Sequence, residues 1–426
     1  MIPIQPNLVA PHAAHPWRLR WLLAAPHRLA FFGAAVMLSI SALWWCAVLF
    51  SRVMGLGVPW AVSSGTSHAL MMSMAFTPLF FAGFMFTAGP RWLNMPEVGA
   101  AQLLPAVSAT VLGWLISLVG FHGSTLVAGA GVLMVALAWT TITFKFVQLW
   151  RYSPSLDKAH ANVMVLSFCA GVVGLWLAAA GLLSGEETWV RMATQGSIWC
   201  FVASVFATVS HRMIPFFSAS AIPKLDAWRP LWLLWVSLFV LWFEGLVAVL
   251  DLLVWPSNMA FRWVQVGVEA PTALLILWLS FRWGLVQSLK IRLLAMLHGG
   301  FVWLGLALML QAVSHTMMAL SQGQSSLGLA PLHALTVGYL GATMMAMATR
   351  VSSGQGGRPL AADDLVWGLY WVLQTAALLR VVAAVWPAAG SWPALVAISA
   401  WTLATCAWSL RYGSWFGRPR LDGRPG

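Results

Sequence analysis

The sequence predicts an all-α integral membrane protein, a bundle of about twelve transmembrane helices with both termini in the cytoplasm. Hydrophobic residues make up 60% of the 426 positions, and charged residues only 8%. The 22 Phe, 28 Trp and 4 Tyr are typical of proteins whose aromatic side chains form belts at the membrane interface. Apolar runs of the length that crosses a bilayer, about 20 residues, recur along the whole chain.

The predicted spans are separated by short segments rich in glycine, proline, serine and charge. Because these connections are short, we expect neighbouring helices to pack antiparallel. The boundaries divide the chain into an N-terminal arm at 1–28, a transmembrane domain at 29–411 and a basic tail at 412–426. The predicted spans lie at 29–50, 66–88, 101–120, 124–149, 160–183, 193–216, 231–254, 262–283, 291–318, 329–349, 365–386 and 393–411.

The distribution of lysine and arginine predicts the orientation. With the N-terminus in the cytoplasm, 19 of the 23 basic residues lie at cytoplasmic ends, as the positive-inside rule requires. The net charge of +12 does not indicate nucleic-acid binding, because the basic residues form no stripe with interleaved aromatics. Only four arginines lie at the opposite ends: Arg52, Arg191, Arg262 and Arg380.

The cysteines predict neither a disulfide framework nor a zinc site. All four lie inside apolar runs, and no two have CxxC spacing. We expect packing or lipid contact for Cys46, Cys169, Cys200 and Cys406.

Ionisable residues at membrane depth are costly and indicate functional sites. Five share the predicted outer half of the bundle: His68, His315, His333, Glu244 and Glu269. The two glutamates lie roughly 10 Å below the outer surface at a helical rise of about 1.5 Å per residue. Proton transfer, ligand orientation and an ion pair with Arg262 or Arg380 all remain open for them.

Other histidines lie toward the cytoplasm. His160 begins the fifth span, His211 ends the sixth beside Arg212, and His298 lies about two turns inside the ninth. His298 and His315 are roughly 25 Å apart along one helix, so they cannot ligate the same metal. We expect His12, His15 and His27 to be solvated.

Neutral imidazole is a good ligand for haem iron and for copper, although a histidine at a helix end is often only an interfacial or capping group. We predict that His68 and His333 help form one metal or haem site near the outer face. His298 then belongs to a different site or supports the fold. The methionines at 344, 345 and 347 could ligate copper, but an apolar span rich in methionine usually reflects packing.

The turn after the tenth span, SSGQGGRP at 352–359, combines several glycines with arginines, whose side chains are permanently charged. Gly354, Gly356 and Gly357 can adopt positive φ, and Arg350 and Arg358 add two positive charges. The turn could therefore hold a haem propionate or a lipid phosphate. The simpler interpretation is a positively charged anchor at the cytoplasmic surface.

Four segments resemble motifs of a known family. HALTVGYLGATMMAMATRVSSGQGGRPL at 333–360 is similar to its HALTVG…TRVSLGHTGRPL segment, and SHRMIPFFSAS at 210–220 to its RxIPFFT motif. HALMMSMAFTPLFFAGFMFTAGPRW at 68–92 resembles its second span, and LHGGFVWLGLAL at 297–308 its LHxGYxW helix. Their order, over about two thirds of the chain, identifies a resemblance to the NnrS family of bacterial membrane proteins.

The resemblance implies a multi-pass protein of the bacterial inner membrane that contains haem and copper. It also implies a role in denitrification and resistance to nitric oxide stress, with nitric oxide or iron–nitrosyl species as partners. The family's histidines match His68, His298 and His333. Its arginines match Arg212, Arg350 and Arg358.

The chain departs from the family's pattern at two places. Many relatives begin the second span with HAHEM, so Leu70 and Met71 stand where a histidine and a glutamate would be. Gln355 stands where the GHTGR turn carries a histidine. Either the metal content differs in this member, or these positions are not ligands.

Other functional classes are less well supported by the sequence. A haem–copper oxidase or nitric oxide reductase core requires an HxxxY helix and an adjacent HH pair, and the sequence has neither. A secondary transporter using the intramembrane carboxylates is the main alternative, although we expect no clearly broken helices of the kind transporters use. A haem-containing sensor or protection factor without turnover is a third possibility, so we leave enzymatic activity open.

Overall fold

The computed structural model describes residues 16–254 and 258–423, and in this part of the chain helices are the only regular elements of more than a turn. We number the long helices in chain order. They are α1 Pro26–Val53, α2 Ser64–Trp92, α3 Leu104–Gly123, α4 Thr125–Tyr152, α5 Ala159–Ser184, α6 Glu187–Ala221, α7 Leu231–Leu253, α8 Met259–Arg282, α9 Arg292–Leu320, α10 330–355, α11 Asp364–Val385 and α12 Trp392–Phe416.

Within the described residues, eleven of these helices are long and apolar enough to cross a membrane. The exception is α10, which is continuous over 330–355 but includes His333 and several threonines and glycines. It lies at the position of the predicted tenth span and is largely buried. The multi-pass helical architecture is therefore confirmed, whereas the count of twelve spans and the orientation stay predictions.

The first helix begins earlier than predicted, and this changes the environment of one histidine. Helix α1 starts at Pro26, so His27 lies in its first turn with only 2% of its surface exposed. Its Nδ1 is 3.5 Å from the hydroxyl of Thr87, and its ring packs edge-on to Phe31. The expectation that His27 is solvated was wrong. His12 and His15 lie outside the described residues.

Sequential helices pack against each other, and the two ends of the bundle meet where α1 contacts α12. Helices α3 and α4 approach closely through small residues: a Cβ added to Gly113 would lie 2.6 Å from the carbonyl oxygen of Gly131. Such contacts are typical of helix pairs in membranes. Large apolar side chains such as Val119, Val173 and Leu410 face outward and are exposed, as expected for lipid contact. All four cysteines are unpaired.

Three of the long helices are irregular near their middle. Helix α2 is interrupted at Ala75 and Phe76, between Ser64–Met74 and Thr77–Trp92. The break has a local cause, because Pro78 has no N–H and its ring clashes with the carbonyl of Met74 four residues earlier. The sequence analysis expected no helices interrupted by glycine or proline in two matching halves, and this one break does not supply such a pair. Helices α6 and α10 contain π-helical segments, Ser197–Ala203 and Ala334–Gly341.

Candidate functional site

A cavity of about 660 Å³ lies among helices α1, α2, α6, α7, α10, α11 and α12, and it is lined by both His68 and His333. Its volume falls within the range of about 300–1,000 Å³ that is usual for sites of small ligands and cofactors. Most of the remaining wall is apolar, including Trp45, Phe76 and Trp401. The structure thus brings together the two histidines that the sequence placed at the predicted outer ends of different spans.

His68 is held by an aromatic contact. Its ring stacks on that of Trp45, with centroids 3.9 Å apart and an interplanar angle of 21°. Its Nδ1 is buried without a hydrogen-bond partner, and neither ring nitrogen bonds to a described residue. Because buried polar atoms usually have partners, an uncommitted imidazole in a cavity wall is suited to bind a ligand.

His333 is held by its own backbone. Its Nδ1 lies 2.8 Å from the carbonyl oxygen of Leu329, one helical turn earlier. A carbonyl oxygen only accepts, so this contact assigns the proton to Nδ1 and leaves Nε2 with a free lone pair. Histidines that ligate a metal through one ring nitrogen are commonly oriented by a hydrogen bond from the other ring nitrogen.

Three arginines line the same cavity: Arg52, Arg191 and Arg380. Arg52 also contacts the hydroxyl of Ser64, and its guanidinium lies 5.4 Å from the centroid of the Trp45 ring. The sequence analysis considered Arg380 only as an ion-pair partner of the intramembrane glutamates and gave Arg52 and Arg191 no role. A signal was available, because they are three of the four arginines that depart from the positive-inside pattern.

The irregular helices border this cavity. Phe76 and Thr77 at the break of α2 line it, as do Ile198 and Val202 in the first π-helical segment. The second π-helical segment follows His333 directly and contributes Leu340, among others. π-Helical insertions occur frequently at functional sites, so their position supports the cavity as the site.

His298 lies outside the cavity. It is fully buried, and its Nε2 is 2.9 Å from the hydroxyl of Ser218. Its Nδ1 is buried without a partner. The structure therefore separates His298 from His68 and His333.

Arg350 and Arg358 stack on aromatic rings at the end of α10. The Arg350 guanidinium lies 3.6 Å from the ring centroid of Phe217, and that of Arg358 lies 3.8 Å from the centroid of Trp415. Arg350 is 17 residues after His333, or about 25 Å along the helix, so the two cannot contact the same small group.

The turn beside these arginines is partly covered by the chain itself. Of the three glycines predicted to permit positive φ, only Gly357 adopts it, at +66°, because the helix continues to Gln355. A Cβ on Gly357 would lie 2.6 Å from the carboxyl carbon of Asp422, and Leu421 donates its N–H to the carbonyl of Gly356. A carboxylate does lie at this turn, and it belongs to the tail.

A histidine pair that sequence reasoning missed lies at the predicted cytoplasmic side. His160 Nε2 is 3.0 Å from His211 Nδ1, and Arg212 Nη1 is 3.4 Å from His160 Nδ1. His211 Nε2 is 3.2 Å from the carbonyl oxygen of Pro230. The pairing joins α5 to α6, which single-sequence patterns do not reveal.

The cavity contains the kinds of group that a haem requires. Haem needs one or two imidazoles from the protein, together with an apolar wall and cations for its carboxylates. The cavity is lined by His68, His333, a largely apolar wall and three arginines. Among the described residues, no group of three or more His, Cys, Asp or Glu side chains could hold a metal ion.

Comparison with known proteins agrees with the motifs. The family model described as NnrS protein matches residues 21–420, nearly the whole chain. No curated protein sequence matches the chain. Because the family model covers the helices and the cavity together, the chain belongs to the NnrS family.

Proposed function

We propose that this chain is a haem-binding protein of the bacterial inner membrane that acts in the nitric oxide stress response or in denitrification. The observation that carries the proposal is the single cavity lined by His68, His333 and three arginines. The family match and the multi-pass fold support the membrane setting. Haem and copper are both expected from the resemblance to the family, and the residues of the cavity suit haem.

In this proposal His68 and His333 would hold the haem iron, and one of the two imidazoles would have to give up its place when a diatomic molecule binds. When bound, haem supplies an iron centre that can hold small diatomic molecules. Trp45 holds the imidazole of His68 by stacking, and Leu329 fixes the tautomer of His333 so that Nε2 carries the lone pair. The apolar wall, including Trp401, would pack against the apolar faces and edges of the haem.

The three arginines are the proposed partners of the two haem propionates. A guanidinium presents a planar set of N–H donors that matches a carboxylate, and it stays charged even where it is partly buried. Arg380 is half-buried, and Arg52 and Arg191 are exposed on the described chain. This assigns a function to three cations that positive-inside topology does not explain.

The optical spectrum of the purified, dithionite-reduced protein tests the proposal, recorded before and after addition of nitric oxide. We expect a haem spectrum that changes on nitric oxide binding, and greater nitric oxide tolerance in cells that contain the wild-type protein than in cells with His68→Ala. A protein without haem that still protects cells would contradict the proposed mechanism.

A secondary transporter is the alternative that one observation favours. Discontinuous helices form the substrate sites of many transporters, and the break in α2 at Ala75 and Phe76 borders the cavity. Proteoliposomes distinguish the two functions. A transporter would accumulate a small solute without bound haem, whereas the haem protein would not.

A further inference from the structure

A second buried polar cluster lies on helices α7, α8 and α9. At its centre are two buried carboxyl groups, those of Glu244 on α7 and Glu269 on α8. Their exposed fractions are 2% and 0%. Neither residue lines the cavity that contains His68 and His333.

The burial of both carboxyl groups favours a bound proton. Two ionised carboxylates in one buried cluster repel each other and lack solvation, so the cluster is more stable with at least one of them protonated. In addition, Oε1 of Glu244 and Oε2 of Glu269 are buried without any hydrogen-bond partner. The pair therefore has uncommitted oxygen atoms that can accept another proton.

His315 on α9 is the titratable group in direct contact with this pair. Its Nδ1 lies 2.7 Å from Oε1 of Glu269. Its Nε2 is 3.4 Å from the amide nitrogen of Gln265 and 3.5 Å from that of Gln311, both at the outer limit of hydrogen bonding. The Nε2 lone pair is thus only weakly engaged.

An ion pair connects the cluster to the surface. Arg262 donates from Nη1 and Nη2 to the two carboxylate oxygens of Asp251, at 2.9 and 3.0 Å. Arg262 is fully buried, whereas 24% of the Asp251 side chain is exposed. Arg262 Nη1 also donates to Oε1 of Gln265 at 2.8 Å, which turns the amide nitrogen of Gln265 toward His315.

We propose that Glu244 and Glu269 form a proton-binding site that is loaded through His315. The pair alternates between one shared proton and two protons. In loading, His315 accepts a proton on Nε2 and releases the proton on Nδ1 to Oε1 of Glu269, so one proton enters and the imidazole stays neutral. Arg262 and Asp251 are the other charged groups that face the site, and they form their own ion pair.

The site is separate from the haem proposal and does not depend on it. It is close to the cavity in the chain, because Leu252, the residue after Asp251, is part of the cavity wall. The binding of the proton itself can be tested without any cofactor.

Infrared difference spectroscopy over a pH titration tests the site directly. Wild-type protein labelled with ¹³C-glutamate should show an isotope-shifted carbonyl band of a protonated acid at neutral pH. The chain has five glutamates, so single variants are needed to assign the band. Each of Glu244→Gln and Glu269→Gln should remove or shift the band.

The matched control is Glu97→Gln, because Glu97 is an exposed carboxylate that pairs with Arg91. This variant should leave the band unchanged. His315→Gln should retain the band but slow its shift after transfer to D₂O. Absence of a protonated glutamate band in the labelled wild-type protein overturns the proposal, even if the glutamine variants do not fold. Persistence of the band in both folded variants would also overturn it.

Discussion

Replacing Asp251 with asparagine should destabilise the protein strongly, whereas the same change at Asp226 should not. Each aspartate accepts two hydrogen bonds from one arginine: Asp251 from Arg262 at 2.9 and 3.0 Å, and Asp226 from Arg282 at 3.1 Å twice. The two pairs have nearly the same geometry. They differ in burial, because Arg262 is fully buried and Arg282 is exposed.

The expected magnitude follows from this difference. Breaking a buried ion pair leaves one charge without compensation and costs about 3–5 kcal/mol. Asp251 is partly exposed, and Gln265 remains bonded to Arg262, so we expect the lower end, about 3 kcal/mol. At Asp226 water replaces the lost hydrogen bonds, so the stability should hardly change.

The assay is thermal unfolding of the detergent-solubilised protein at one fixed concentration and heating rate, since membrane proteins often unfold irreversibly. Asp251→Asn should lower the unfolding temperature clearly, and Asp226→Asn should leave it close to the wild-type value. Equal decreases in the two variants would refute the argument that burial sets the cost. No decrease in Asp251→Asn would show that Arg262 does not need this partner.

Four further predictions concern other parts of the molecule. A reporter fusion at Lys224 should be cytoplasmic, because that side has most of the positive charge; periplasmic alkaline phosphatase activity would contradict the orientation. Arg380→Gln should weaken haem retention by about 1.5–3 kcal/mol, the value of a hydrogen bond to a charged group, measured as haem loss to apomyoglobin; unchanged retention would remove Arg380 from the site. Gly120→Ala should reduce the free energy of unfolding by about 1–3 kcal/mol and lower the unfolding temperature, because the new Cβ would lie 2.1 Å from the backbone nitrogen of Ala128. The control Gly123→Ala should be neutral, because a Cβ there would have no atom within 4 Å. Arg358→Lys should keep the haem content and lose only about 0.5–1 kcal/mol of stability, from weaker stacking on Trp415. Loss of haem in this variant would instead indicate that a propionate binds at that turn.

The sequence predicted the helical membrane fold well because the signal is local. A span needs about 20 apolar residues, and this requirement can be read from composition alone. The break in α2 also has a local sequence signal, at Thr77 and Pro78, but the sequence analysis did not recognise it. The π-helical segments carry no comparable signal, because they depend on how neighbouring helices pack.

The candidate site was predicted only in part. Topology placed His68 and His333 at the same end of the bundle, and the structure adds that they share one cavity. The pairing of His160 with His211 and of Arg262 with Asp251 joins residues on different helices. A single sequence does not specify such contacts, since they depend on the rotation of each helix about its axis.

The haem content of purified variants tests the central claim most directly. The account predicts that the double variant His68→Ala/His333→Ala contains no haem and that His298→Ala contains the wild-type amount, because His298 lies outside the cavity. A quantitative pyridine haemochrome assay on folded, monodisperse protein provides the measurement. Wild-type haem content in the double variant, or loss of haem in His298→Ala alone, would contradict the assignment of this cavity as the haem site.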